Sequence, residues 1–296
     1  MTSHNNIKSF FEFVKERHAI WVRRDNGEPA PWTEDPILQK YKFCNVYREL
    51  DRGTEWVVCN ARSPHRESPE IWRQDIIFQV IQYRLLNNPH FFEIYGLADL
   101  HGYATANDQL EDALIEYKQE YGYIFNTAYT CFKTFNNSTG IKNTIKSYCF
   151  IVDWAFENIE LITKAVVEQE SAEESCKALQ SIPGVGPFLA YEIWCDFILL
   201  GVVEWTENDY VNVGPGAVLG LEIIFPELNK HGFTNAEWGR LLRQIWSAQS
   251  HHLPPGMPPM SLRSVEHSLC EYRKYVNLQK GLGRPRLFKP FNQTKK

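Results

Sequence analysis

With 296 residues, 44% apolar and 14% aromatic, the chain can bury a large core in one large or two small domains, which excludes a disordered or fibrous class. No apolar run reaches the roughly 20 residues of a membrane span, since 197–203 is bounded by Asp196 and Glu204, and the opening MTSHNNIKSFFEF lacks the order of a signal peptide, so a soluble, intracellular protein with no membrane partner is expected. The net charge of −5 is uneven: residues 261–296 carry nine Lys or Arg against two Glu, a net of +7, leaving −12 for residues 1–260, so attraction to nucleic acid must come from local patches, the C-terminal tail first.

Seven cysteines, at 44, 59, 131, 149, 176, 195 and 270, are scattered without a C-x-x-C pair. That spacing argues against a disulfide framework, a zinc finger or a Cys-ligated iron–sulfur cluster, and neither a metal nor another cofactor is expected.

In chain order, residues 10–24 place apolar positions at 10, 11, 13, 14, 20, 21 and 22 with basic groups between them, a helix packed on one face. Asp25-Asn26-Gly27 stops it, and EPAPWTEDP is a rigid connector carrying Trp32. Within the dense segment 37–58, Tyr41, Asn45, Arg48, Glu49 and Arg52 fall at three- and four-residue steps, which places them on one face of an expected helix. Such a face can grip phosphate through its guanidinium groups, or it can be a self-satisfied Arg–Glu–Asp lattice. SPHRES reads as a loop, and Pro69 opens a helix that Asn87-Asn88-Pro89 ends. Helical pieces follow from His90 to Tyr121 with a turn at 102–107, then a break at 136–140. Residues 141–167 read as one or two helices, and EQESAEES caps the helix before the Pro183–Gly186 turn. An apolar helix, a polar segment around Asn208, Asp209 and Asn212, and helices over 217–225, 235–249 and 262–278 complete the pattern, the last carrying His267, Cys270, Glu271 and Lys274 on adjacent turns. No strand-like alternation is sustained, so the fold class is mainly α. Three segments packed as one unit are expected: 1–62 with the arginine-rich face, 63–260 with the hairpin at 181–196, and 261–296 with the basic tail.

The stretch Pro183–Ala190 resembles the helix-hairpin-helix of base-excision DNA glycosylases. The resemblance implies a glycosylase-like helical fold, in which the backbone amides of Gly184, Val185 and Gly186 hold a DNA phosphate. It also makes Asp209, 23 residues after Gly186, the catalytic carboxylate facing an extruded nucleotide. Two departures are visible: Phe188 stands where a lyase keeps its Lys, and ENDYVNVGPGA lacks the usual V-D-T-H neighbourhood.

A resemblance over nearly the whole chain is carried by ERHAIWVRR, PWTEDPILQKYKFCNVYRELDR, the hairpin, ENDYVNVGPGA and VEHSLCEYRKY. These resemble the α-glutamyl/putrescinyl-thymine pyrophosphorylases, or amino-acid:DNA transferases, found with phage DNA-hypermodification genes. That family is related to the helical domain of 5-hydroxymethyl-deoxyuridine DNA kinases and is regarded as a distant offshoot of the glycosylase fold. The implied reaction transfers an amino acid or polyamine onto the 5-methylene of a phosphorylated or pyrophosphorylated 5-hydroxymethyluracil in DNA. With no P-loop in the sequence, a separate kinase would activate the base. The implied roles are cations at the leaving group from Arg48, Arg52, Arg23 and Arg24, and a general base among Asp209, Glu49 and His267. Asn45, Trp32, Tyr47, Asn208, Tyr210 and Asn212 would hold a flipped base. Cys270 would add transiently to the pyrimidine ring, or be a buried structural thiol. Arg284 and Arg286 of the tail would contact the DNA backbone. The alternatives are a monofunctional glycosylase using Asp209 and a DNA-binding module without catalysis. The chemistry is expected where the Asn208-Asp209 loop meets residues 45–52, with the hairpin as anchor.

Overall fold

The computed structural model describes residues 3–125, 132–283 and 286–288. Among them the chain is mainly α-helical, and the β pairing is a single antiparallel bridge between Tyr41 and Leu287. Two compact units form, one from Met1–Asp51 with Val211–Lys296 and one from Arg52–Tyr210. These boundaries differ from the three segments expected: the N- and C-terminal stretches share a unit, and positions 62 and 260 fall inside units.

The first unit opens with α1 (Ser3–Asp25) and α2 (Pro36–Lys40). The second holds α3 (Arg52–Asn60), α4 (Pro69–Leu86), α5 (Pro89–Tyr95), α6 (Leu100–Ala106), α7 (Leu110–Tyr121), α8 (Phe132–Thr139), α9 (Thr144–Glu157), α10 (Ile159–Val167), α11 (Ala172–Ala178) and α12 (Pro187–Leu200). The chain then returns to the first unit with α13 (Pro215–Ile224), α14 (Asn235–Ala248) and α15 (Leu262–Gln279).

In the second unit α4 is buried without interruption from Asp75 to Leu86 and packs against α12, α9 and α10. Its apolar residues are too evenly spread for a one-sided surface helix, which is why it becomes the central one. Burying it on all sides also buries Arg84, whose Nη2 donates to Asp196 Oδ1 on α12 at 2.7 Å while its Nε pairs with Oδ2. Thr54 Oγ1 takes a further bond from Arg84 Nη2 at 3.0 Å, so the guanidinium fastens α3, α4 and α12. α4 ends at Asn87, which adopts a left-handed φ of 49°.

In the first unit α15 is the central helix, started by Ser261, whose hydroxyl accepts the Ser264 N–H at 3.1 Å. α13 lies against it along Gly216 and Gly220. A Cβ at Gly220 would run into the Leu269 carbonyl, and one at Gly216 into the Cys270 side chain. α14 begins with a capping box between Thr234 and Glu237, and Phe10, Phe11, Phe13 and Val14 of α1 complete the core.

Three local expectations are corrected. Residues 42–47 are a loop followed by a 3-10 turn at Arg48–Leu50, not a helix, so Asn45, Arg48, Glu49 and Arg52 do not share a helical face. The cause is local competition for the backbone: Asp51 Oδ1 accepts the Asn45 N–H, and Asn45 Nδ2 donates to Leu50 O. Residues 102–106 continue α6 rather than turning, because Asp99 caps that helix through the Gly102 N–H at 2.7 Å. The break expected at 136–140 falls at its end only. Buried Phe135 anchors α8 as far as Thr139, and Gly140 at φ 70° then reverses the chain.

Candidate functional site

The loop at 42–51 and the facing turns of α15 build a polar cluster inside the first unit. Asn45 is its hub. Its N–H donates to Asp51 Oδ1 at 2.9 Å, its Nδ2 to Leu50 O at 2.6 Å, and its Oδ1 accepts Arg17 Nη2 at 2.8 Å. Arg17, buried on α1, also donates to Phe43 O at 3.1 Å. Arg48 Nη1 pairs with Asp51 Oδ2, so Asp51 lies between a guanidinium and a backbone amide. From α15, Glu271 Oε2 accepts the Cys44 N–H at 2.9 Å and Lys274 Nζ at 2.6 Å. One turn earlier on α15 sits His267, and Cys44 Sγ, an Asp51 oxygen and a His267 ring nitrogen all lie within 4.8 Å of one another.

Burial sets the electrostatics of this cluster. It lowers the Arg17 pKa, an effect that Asp51, Cys44 and Glu271 oppose. The Cys44 thiol is pushed well up, first by burial and then by Glu271 and Asp51, so it stays protonated. Tyr47 is pushed up to about 12 by burial and by Glu49, and its hydroxyl donates to Pro258 O. The thiol, carboxylate and imidazole form a donor set that zinc accepts. As arranged, however, both Asp51 oxygens are engaged and Cys44 is held as a thiol. What the cluster offers chemically is two anchored guanidinium groups for an oxyanion and an imidazole able to take a proton.

The hairpin in the second unit has its own geometry. The 3-10 turn Leu179–Ser181 leads to Gly184 at φ +80°, where a Cβ would approach Phe135 to 2.8 Å, so glycine is required twice over. The Val185 N–H donates to Ile182 O at 3.0 Å and Val185 is buried, while Gly186 is the N-cap of α12. Phe188 is 47% exposed beside the turn. Further on, Asp209 closes an exposed Thr206–Asp209 turn, its Oδ2 accepting Thr206 N–H at 2.7 Å and Oγ1 at 2.9 Å. Asn208 is exposed in the same turn, and Tyr210 packs edge-on against Tyr191 and Trp194. Burial pushes the Tyr210 phenol up.

The sequence profile of the 5-hmdU DNA kinase helical domain matches residues 4–281. The chain belongs to that family. A 5-hmdU DNA kinase of Bacillus phage SP10 is 27% identical over 292 residues, covering 90% of this chain and 44% of that protein. The chain thus spans less than half the length of that relative. No solved structure matches.

Within this kinase-type helical domain the remaining expected residues fall into separate groups. Glu49 is exposed on the 3-10 turn, and Arg52 opens α3 in the second unit, 3.6 Å from Glu93. Arg23 donates to Trp32 O and pairs with Glu16 at 3.3 Å. The Arg24 guanidinium lies over the rings of Trp32 and Phe288, at 5.2 and 5.4 Å. Asn212 is half-buried in the first unit, whereas Asn208 and Asp209 belong to the second. Cys270 packs in the α13–α15 seam against Gly216, its thiol pushed up to about 11 by burial, then by Glu271 and Glu266. Arg286 joins the pairing of the tail with residues 40–42, its carbonyl accepting the Lys42 N–H at 2.9 Å. Arg284 lies outside the described residues, as does Cys131.

Of the expected residues, the fold brings together Asn45, Arg48 and His267. It adds Arg17, Cys44, Asp51 and Glu271, which were not expected as site residues. Arg17 and Glu271 were each visible as a charge on an otherwise core-facing helix turn. Among the described residues, no helix is long and apolar enough to cross a membrane.

Proposed function

We propose that this domain works on a 5-hydroxymethyluracil-derived base in DNA, transferring an amino acid or polyamine onto its 5-methylene. The amine nitrogen attacks the methylene carbon. The bond from that carbon to a phosphate or pyrophosphate oxygen breaks, its electron pair leaves on that oxygen, and one amine proton passes to a base on the protein. The observation that carries the reading is the cluster of buried Arg17 and Arg48 with half-buried Asn45, Asp51 and His267 in a chain of the 5-hmdU DNA kinase helical-domain family. Arg48 meets the leaving oxyanion, and His267 takes the proton with Asp51 beside it. Asn45, with its amide groups already bonded, is a positioning residue. The activated base comes from a separate kinase acting first. Asp209 and Glu49 are the other candidates for the base, Arg52, Arg23 and Arg24 for further cations, and Gly184 to Gly186 for a DNA phosphate.

A glycosylase reading is favoured by one feature, the glycine hairpin with its cap at the start of α12. Nucleoside analysis separates the two. DNA carrying phosphorylated or pyrophosphorylated 5-hydroxymethyl-deoxyuridine is incubated with the protein and a panel of amino acids and polyamines, then digested and weighed by mass spectrometry. Transfer yields a heavier thymidine-like nucleoside, excision yields free base and alkali-labile sites, and no change in either defeats both readings. Asp209→Asn should abolish excision, and it leaves transfer intact if His267 or Glu49 is the base.

A further inference from the structure

A second polar site lies in the unit Arg52–Tyr210. Where α3 ends and α4 begins, a cleft of about 480 Å³ is lined by Arg62, Arg66, Arg73, Trp72, Ser63 and Leu200, among others. That volume suits a nucleotide-sized ligand.

Arg62, Arg66 and Arg73 all line this cleft, and among the described residues none of the three forms an ion pair. Arg62 Nη1 donates to Val58 O at 3.0 Å and Ala61 O at 2.7 Å, satisfying carbonyls at the end of α3 but meeting no carboxylate. Among the described residues the exposed side chain of Arg66 has no ion-pair or hydrogen-bond partner. The Arg73 side chain has none among them either, and its Nε is shielded from water with no acceptor. The acids nearest in sequence, Glu67 and Glu70, are exposed and pair with none of the three. Asp75 is buried behind the cleft wall, its two oxygens accepting Ser63 Oγ and the Leu100 N–H, and it forms no ion pair with the three arginines. Like charges held together without counter-charges are costly in a folded chain, and a shielded N–H lacking an acceptor adds to that cost. An oxyanion relieves both. Trp72 lines the same cleft and has no aromatic or cationic partner among the described residues, so its indole is available to stack on a base.

We infer that this cleft binds a nucleoside phosphate, with the phosphate held by Arg62, Arg66 and Arg73 and the base stacked on Trp72. The inference rests on the cleft's own residues and stands whichever reaction the chain performs. The phosphate could belong to a DNA strand or to a mononucleotide, and the test has an arm for each. Titration calorimetry of the full chain with a 12-mer oligothymidylate and with thymidine 5′-triphosphate gives the reference affinities. Arg66→Ala and Arg73→Ala should each weaken the bound nucleotide by about tenfold or more, as expected for a charge-assisted phosphate contact. Trp72→Ala should weaken it by about fivefold or more. Binding of the strand alone assigns the site to DNA, and binding of the triphosphate assigns it to a free nucleotide. Absence of binding in both arms, or affinities unchanged in all three variants, overturns the inference. If Arg73→Ala or Trp72→Ala loses its helical circular dichroism, Arg66→Ala, at an exposed position, still decides the phosphate half.

Discussion

Arg84 and Cys270 show how burial dictates what a charged or reactive side chain can do. Arg84 and Asp196 are almost fully enclosed, with Glu192 4.0 Å away, so each charge depends on the other. Asp196→Asn takes from buried Arg84 its closest counter-charge and leaves only the more distant Glu192, and should cost about 3–5 kcal/mol. Urea denaturation followed by far-ultraviolet circular dichroism measures this; a loss below about 1 kcal/mol would mean that water reaches the pair. Cys270 is controlled by the same physics with the opposite sign of function. Its thiol, pushed up to about 11, is neutral at physiological pH. Alkylation of Cys270 by iodoacetamide, read by peptide mass mapping, should therefore be slow at pH 8 and climb until about pH 11, whereas exposed Cys59 reacts readily at pH 8. Because folding favours the neutral thiol, the stability it contributes is full below about pH 9 and is lost toward pH 11. Fast alkylation of Cys270 at pH 8 would restore it as a nucleophile.

At the scale of elements, the seam between α13 and α15 is made by absent side chains. Gly220 faces the Leu269 carbonyl, which cannot swing aside, so Gly220→Ala should lower stability by about 1–3 kcal/mol despite alanine's better helix propensity. Gly239 on α14 is the control: a Cβ there meets Val211 Cγ1 at 3.9 Å, an ordinary contact, and Gly239→Ala should raise stability by up to about 1 kcal/mol. Opposite shifts of the thermal midpoint are expected, and equal shifts would contradict the close seam. Elements with strong periodicity and caps were legible in the sequence: α4 behind Pro69, the Ser171 cap of α11, and the helix after 261. Residues 41–52 were not. Their three- and four-residue spacing imitates a helical face, but Asn45 and Asp51 bond the backbone locally and turn it into a loop. α8 was missed for the converse reason, since FNNSTG is poor in helix formers and is held by buried Phe135.

For the whole molecule, two units formed from interleaved stretches of chain separate residues that look adjacent in the sequence. Arg48 belongs with α1 and α15, while Arg52, four residues on, starts the other unit. The gathering of Arg17, Asn45 and His267 from three distant segments could not be read from spacing, because it is a product of tertiary packing. The relation to the 5-hmdU DNA kinase helical domain, by contrast, was readable from motifs spread along nearly the whole chain, and the match over residues 4–281 bears out that part of the resemblance. In the proposed reaction Arg48 and its cluster serve amine transfer onto an activated 5-hydroxymethyluracil. Mass spectrometry of nucleosides from DNA treated with the wild type and with Arg48→Ala tests this. An aminated thymidine-like nucleoside is expected with the wild type, formed about 10²–10³ times more slowly by the variant. An unmodified nucleoside pool from the wild type across every donor tried, or an undiminished rate in the variant, would contradict it.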